Sequence, residues 1–136
     1  MNAERILVDT SAWVEYFRGG NQALFALMDK GMDEGRICIP DVVLAEMIQG
    51  AKTEAEGKAI DDLADAFTII GQKPETWLDA GRLSRALRKK GKTIHLVDCY
   101  IASQARENKC AILTLDEHFA DIGSVIDIEL IRIHSR

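Results

Sequence analysis

A three-layer α/β/α sandwich around a central, mainly parallel sheet is the architecture this sequence predicts, and three observations predict it. Short apolar runs recur near 5–8, 36–39, 67–70, 110–114 and 130–133. The stretches between them carry apolar residues at helical spacing. Two acidic residues, Asp9 and Asp116, stand just beyond the ends of such runs. In parallel sheets that is where ligands gather. Alternating strands and helices favour this arrangement over a bundle or an antiparallel barrel.

Each element has a local reason. Arg5-Ile6-Leu7-Val8 reads as a short buried strand. Thr10 or Ser11 can cap the next helix, whose apolar stripe is Trp13, Val14 and Phe17. Gly19-Gly20 ends it, and a second helix from Asn21 carries Leu24, Leu27 and Met28. Gly31 and Gly35 weaken its end before the strand Arg36–Ile39. Pro40 suits the first turn of a helix bearing Val43, Leu44, Met47 and Ile48. A helix around Glu54–Ala66 turns Ile60, Leu63, Ala64 and Phe67 inward, and Phe67–Ile70 reads as a strand. Pro74 opens a long helix through Ala80, Leu83 and Leu87 that ends near Gly91. His95-Leu96 leads into a helix with Ile101, Ala102 and Ala105. The strand Cys110–Thr114, a short helix at Glu117–Asp121 and a last strand near Leu130–Ile133 follow.

The chain of 136 residues, 47% apolar and 29% charged, reads as one domain over 1–136. A chain of this size buries roughly two thirds of its unfolded surface. No run approaches the roughly 20 apolar residues that span a bilayer. The start, with Glu4 and Arg5, lacks a basic lead into a secretory apolar segment. The expectation is a cytoplasmic protein that does not enter membranes. Cys38, Cys99 and Cys110 are too scattered for a disulfide framework or a structural zinc site and read as free thiols.

The formal charge of -5 is unevenly spread. Lys73–Lys109 holds nine Lys or Arg against four Asp or Glu, leaving the remainder at -10. Such a segment can hold phosphates while an acidic pocket holds cations. A solvated helix surface explains it as well.

Four carboxylates stand out: Asp9 and Asp116 beyond strand ends, and Glu46 and Asp98 inside apolar helices. Crowding carboxylates near a core is costly unless a cation compensates them. A Mg2+ site is the first reading, with Mn2+ able to substitute, and phosphodiester hydrolysis is the chemistry it serves. Taken singly, Asp9 and Asp116 can cap helices, Asp98 can stabilise a helix start, and Glu46 can face solvent. Thr10 or Ser11 can orient Asp9 instead of capping, and Thr114 can hold Asp116. His95 and His118 suggest proton transfer, although the carboxylates already explain hydrolysis; capping, phosphate binding or packing at the pocket edge suits the histidines equally.

Joined to their neighbours, the four carboxylates form a recognisable series. Ile6-Leu7-Val8-Asp9-Thr10-Ser11-Ala12-Trp13 resembles the opening motif of PIN-domain nucleases. Ile39-Pro40 with Val43-Leu44-Ala45-Glu46 resembles the second acidic motif. His95-Leu96-Val97-Asp98-Cys99-Tyr100-Ile101-Ala102 resembles the third, and Leu113-Thr114-Leu115-Asp116-Glu117-His118-Phe119 the fourth. Together they resemble the VapC toxin branch of the family over nearly the whole chain. The resemblance implies a PIN-like fold and an endoribonuclease dependent on Mg2+ or Mn2+, with Asp9, Glu46, Asp98 and Asp116 as catalytic and metal-binding residues. It implies RNA products with 5′-phosphate and 3′-hydroxyl ends. It also implies a homodimer, and a toxin–antitoxin hetero-oligomer with a cognate VapB-like antitoxin whose apolar segment enters a groove between the first helices.

Arg82, Arg85 and Arg88, spaced by three, with Lys89, Lys90 and Lys92 beyond them, are the expected RNA phosphate contacts. Trp13 and Phe17 read as core rather than base-stacking residues, while Trp77 and Tyr100 are open to either role. Two other readings stand beside the nuclease: an inactive PIN-like RNA- or partner-binding module, and a receiver-type phospho-acceptor domain.

Overall fold

The computed structural model describes residues 4–133. Five parallel strands make one sheet in the order β3-β2-β1-β4-β5. They are β1 (Arg5–Val8), β2 (Ile37–Pro40), β3 (Thr68–Ile70), β4 (Cys110–Thr114) and β5 (Leu130–Arg132). Between them run α1 (Thr10–Arg18), α2 (Gln22–Asp33), α3 (Asp41–Gly50), α4 (Glu54–Ala66), α5 (Thr76–Lys89), α6 (Leu96–Glu107) and α7 (His118–Gly123). The expected α/β/α layering is thus observed. The strand order reverses about β1: the chain moves outward through β2 and β3, then returns to place β4 on its other side. Ile6, Leu7 and Val8 pair with Ala111, Ile112 and Leu113. The ends of β1 and β4 therefore lie side by side at the switch point, the crevice such sheets use for ligands. Asp9 and Asp116 arrive there together.

The central strands are apolar between Arg5 at the start of β1 and Thr114 at the end of β4, because helices cover both faces. Leu7, Val8, Ile39, Ile112 and Leu113 are fully enclosed, with Trp13, Leu24, Met28, Leu87, Ile101 and Phe119 descending from the helices. Burial of this kind stabilises by about 25 cal/mol per Å² of apolar surface. Among the described residues no helix is long and apolar enough to cross a membrane.

Four local expectations need correction. Asp9, not Thr10 or Ser11, is the N-cap of α1, because its extended backbone lets the carboxylate reach the Ala12 N–H. Pro40 closes β2 and caps α3, one position before the first helical turn. Gly31 does not fray α2. A Cβ there would stand 2.7 Å from Ile37 Cδ1, so any side chain at this position makes the tip of Ile37 shift. The stripe on α1 is also only partly core. Trp13 is enclosed, but Val14 and Phe17 are about half exposed, with Phe17 stacked against Trp13 at 5.9 Å.

Candidate metal and nuclease site

Asp9 is held before any ligand arrives. Its backbone N–H bonds Leu113 O at 3.2 Å, locking the end of β1 to β4. Its Oδ1 accepts the Ala12 N–H at 3.0 Å and the Ser11 hydroxyl at 2.7 Å. Its Oδ2 accepts the Thr114 hydroxyl at 2.5 Å. The Thr114 oxygen in turn accepts the Asp116 N–H at 2.8 Å, and Ser11 Oγ accepts the Leu115 N–H at 3.1 Å. Each hydroxyl has one proton, and both are committed to Asp9. The 3.4 Å approach of Ser11 Oγ to Thr114 Oγ1 is therefore a packing contact. Oδ1 has both lone pairs engaged; Oδ2 keeps one. Capping and site-building are two uses of the same carboxylate.

Asp98 lies in the first turn of α6 with its side chain 19% exposed. Burial, then the charges of Asp116 and Asp9, push its carboxyl up to about 6, with His118 and His95 partly offsetting them. Asp9 is also raised, chiefly by burial, against the lowering bonds from Thr114, Ser11 and Ala12. Asp116 Oδ1 accepts the His118 N–H at 2.8 Å, fixing the turn into α7. His118 Nδ1 then stands 3.3 Å from Asp116 Oδ1 and 3.9 Å from Asp98 Oδ2. One ligand atom from each of Asp98, Asp116 and His118 fits within 4.8 Å of the others. Two carboxylates, an imidazole and the adjacent Asp9 form a donor set suited to a divalent cation.

Glu46 lies outside that trio. It accepts the Thr10 hydroxyl at 2.9 Å, so Thr10 serves Glu46 while Ser11 and Thr114 serve Asp9. Thr10 and Glu46 line a groove of about 560 Å³ with Val14, Phe17, Met47 and Ile60.

The basic residues divide. Arg82 is tied to Asp79 at 3.0 Å and Lys92 to Asp121 at 3.5 Å. Arg85 and Arg88 line a cavity of about 540 Å³ with Ser84, Thr93, His95 and Leu96. That cavity adjoins the start of α6, the helix that carries Asp98 two residues beyond the Leu96 of its lining. Lys89 is exposed at the end of α5.

Sequence reasoning missed a brace behind the site. Asp41 Oδ1 accepts the Tyr100 hydroxyl at 3.2 Å and Gln104 Nε2 at 3.1 Å, and Gln104 also reaches Ile70 O at 3.2 Å. It joins the helix carrying Glu46 to the helix carrying Asp98. Burial and then Asp41 push the Tyr100 phenol up, which keeps it a donor. Trp77 stacks on Tyr100 at 3.9 Å, so Tyr100 is structural rather than available to a base. The only local signal was an Asp following Pro at a helix start. The free, buried Cys99 is pushed up to about 11 by burial and then by Asp98, an unreactive thiol.

The family profile described as PIN domain matches residues 6–125. VapC ribonuclease Mb1587 of Mycobacterium bovis is 27% identical over 128 residues, covering 91% of this chain and 96% of its own length. Among solved structures, VapBC2 from Rickettsia felis, bound to a DNA fragment from its promoter, superposes with a TM-score of 0.76 at 20% identity, covering 94% of this chain and 98% of that one. A toxin–antitoxin complex from Klebsiella pneumoniae gives 0.65 at 25% identity, covering 93% and 99%.

Proposed function

The chain belongs to the PIN-domain family, and from that premise we propose that residues 1–136 act as one cytoplasmic, Mg2+- or Mn2+-dependent endoribonuclease of the VapC toxin type. One observation carries the reading. Asp98, Asp116 and His118 converge beside the clasped Asp9, with Asp98 burdened by two like charges. A cation would relieve such crowding, and strongly shifted carboxyls cluster at functional sites.

A divalent cation bound there would neutralise phosphate charge and make water more acidic. The protein's own groups do the positioning. Asp9 presents the one open lone pair on Oδ2, because Thr114, Ser11 and Ala12 fill the rest. Asp98 and Asp116 face it from α6 and from the turn after β4. Glu46, steadied by Thr10, sits to one side, where its longer side chain can orient the attacking water or join the ligands. Attack in line with the leaving oxygen leaves a 5′-phosphate and a 3′-hydroxyl, with no need for the RNA 2′-hydroxyl. Arg85 and Arg88 hold neighbouring phosphates in their cavity, and Lys89 extends the path. Arg82 and Lys92 contribute after exchanging their present carboxylates for phosphate.

The groove flanked by Val14 and Phe17 suits an apolar segment of a VapB-like antitoxin. Glu46 lines that groove, so a basic residue on the segment would pair with Glu46 and compete for its role in cleavage. Exposed Trp77 and Leu78 supply apolar surface for a homodimer within a toxin–antitoxin hetero-oligomer.

The test is to map 5′-phosphate RNA ends in cells expressing the wild-type chain or Asp98→Asn. Ends unique to wild type support the reading and identify the target. Identical ends from both, with both chains folded, overturn it.

A further inference from the structure

We infer that His118 supplies a nitrogen ligand to the cation at Asp98 and Asp116, and that this nitrogen makes the site favour a first-row transition dication over Mg2+. The inference rests on the proposed cation site and extends it to a residue outside the four acidic positions. Three observations support it. His118 Nδ1 lies 3.3 Å from Asp116 Oδ1 and 3.9 Å from Asp98 Oδ2. For bonds of about 2.1 Å in octahedral geometry, adjacent ligand atoms stand about 3.0 Å apart and opposite ones about 4.2 Å. Both contacts fall between those limits, and the Asp98–Asp116 pair lies within 4.8 Å, so the three groups close on one ion once the two carboxylate side chains draw together.

The second observation is how the ring is delivered. Asp116 Oδ1 accepts the backbone N–H of His118, which fixes the residue two positions on at the mouth of the carboxylate pair. Phe119, fully buried next to it, anchors the first turn of α7. Third, the ring makes no hydrogen bond among the described residues, so its nitrogen has no competing partner of that kind. An imidazole in place of an oxygen ligand penalises Mg2+, which demands hard donors and holds its waters, more than it penalises a transition dication.

The ordinary alternative is a protonated His118 ion-paired with the two carboxylates. The two readings predict opposite results. An ion-paired imidazolium competes with the cation, so its removal would tighten binding; a ligating imidazole is lost on removal, so binding would weaken.

The experiment uses Mn2+ as probe on the full chain at pH 7.5. Bound Mn2+ is counted by electron paramagnetic resonance, Mg2+ is titrated in competition, and spin-echo modulation reports nitrogen bonded to the bound Mn2+. Wild type, His118→Gln, His95→Gln and Asp98→Asn are compared. The expected result is imidazole nitrogen coupling in wild type and His95→Gln but not in His118→Gln. Mn2+ affinity should fall on the order of tenfold in His118→Gln while Mg2+ affinity changes far less. His118 is half exposed at the start of α7, so its replacement leaves the core intact, and His118→Ala is read in its place should the glutamine variant misfold. Mn2+ bound through Asp98 without nitrogen coupling overturns the His118 assignment and leaves the cation site standing. Coupling that persists in His118→Gln, or tighter binding there, also overturns it. No Mn2+ on wild type overturns the cation site itself.

Discussion

Replacing Asp98 with Asn removes one negative charge from a crowded, mostly enclosed cluster. The wild-type carboxyl is raised from 3.8 to about 6 by burial, Asp116 and Asp9. A displacement of two pH units corresponds to about 3 kcal/mol of penalty on the ionised form. The side chain is only 19% exposed, so solvent screening removes a minor part. The amide keeps the shape, and the expected net gain is about 2 kcal/mol in metal-free protein at pH 7.5, or roughly 6 °C in Tm for a domain of this size. The sign follows from linkage. With the folded pKa above the unfolded one, the penalty is absent below pH 3.8, builds between there and about 6, and is complete above. The advantage of Asp98→Asn should therefore shrink as pH falls toward 4. Mg2+ or Mn2+ should restore wild type, which has the charge to hold it, more than the variant. Calorimetry with chelator and then with metal, at pH 7.5 and pH 4, checks each arm. Equal Tm values at pH 7.5 without divalent ions, or a gap that persists unchanged at pH 4, would refute the charge-crowding argument.

Thr114→Val removes the hydroxyl that bonds Asp9 Oδ2 and receives the Asp116 N–H. The buried Asp9 carboxylate and the part-buried Asp116 N–H each lose a partner, costing about 1–3 kcal/mol, and Mn2+ affinity measured by titration should drop; unchanged affinity would mean the clasp does not orient Asp9. Arg85→Ala with Arg88→Ala, made in an Asp98→Asn background, should weaken RNA association several-fold at low salt and less at high salt. Arg82→Ala should do less, because Asp79 already engages that side chain; equal effects across a filter-binding salt series would remove the cavity from the RNA path. Gly31→Ala brings a methyl to 2.7 Å from Ile37 Cδ1, the tip of a side chain that must turn away; overpacking of about 1–3 kcal/mol is offset by about 1 kcal/mol of helix propensity, so a small fall in the urea midpoint with an unchanged slope is expected.

The fold was legible because its signals are local. Apolar runs of strand length, helical spacing between them, and Gly or Pro at the breaks placed every element, with α4 and β4 at the boundaries expected. The errors arose where two local signals competed. Thr10, Ser11 and Asp9 are all good caps, and only the extended backbone at Asp9, imposed by its bond to Leu113 on β4, decides among them. Gly31 reads as a helix breaker until the packing shows it inside α2, close against the tip of Ile37.

By itself the sequence determined which residues carry charge, which segments become strands, and that two carboxylates must stand beyond strand ends, since these follow from side-chain chemistry and the period of the backbone. Tertiary structure alone decided which groups meet. The reversal of strand order about β1 brought Asp9 to Asp116 across more than a hundred residues. It also seated His118 with Asp98 and left Glu46 with Thr10. It paired Arg82 with Asp79 while leaving Arg85 and Arg88 on a cavity wall. The physical reason is range. Propensity and capping act over a few residues, whereas hydrogen bonds and Coulomb interactions at a site act between atoms that only the completed packing makes neighbours.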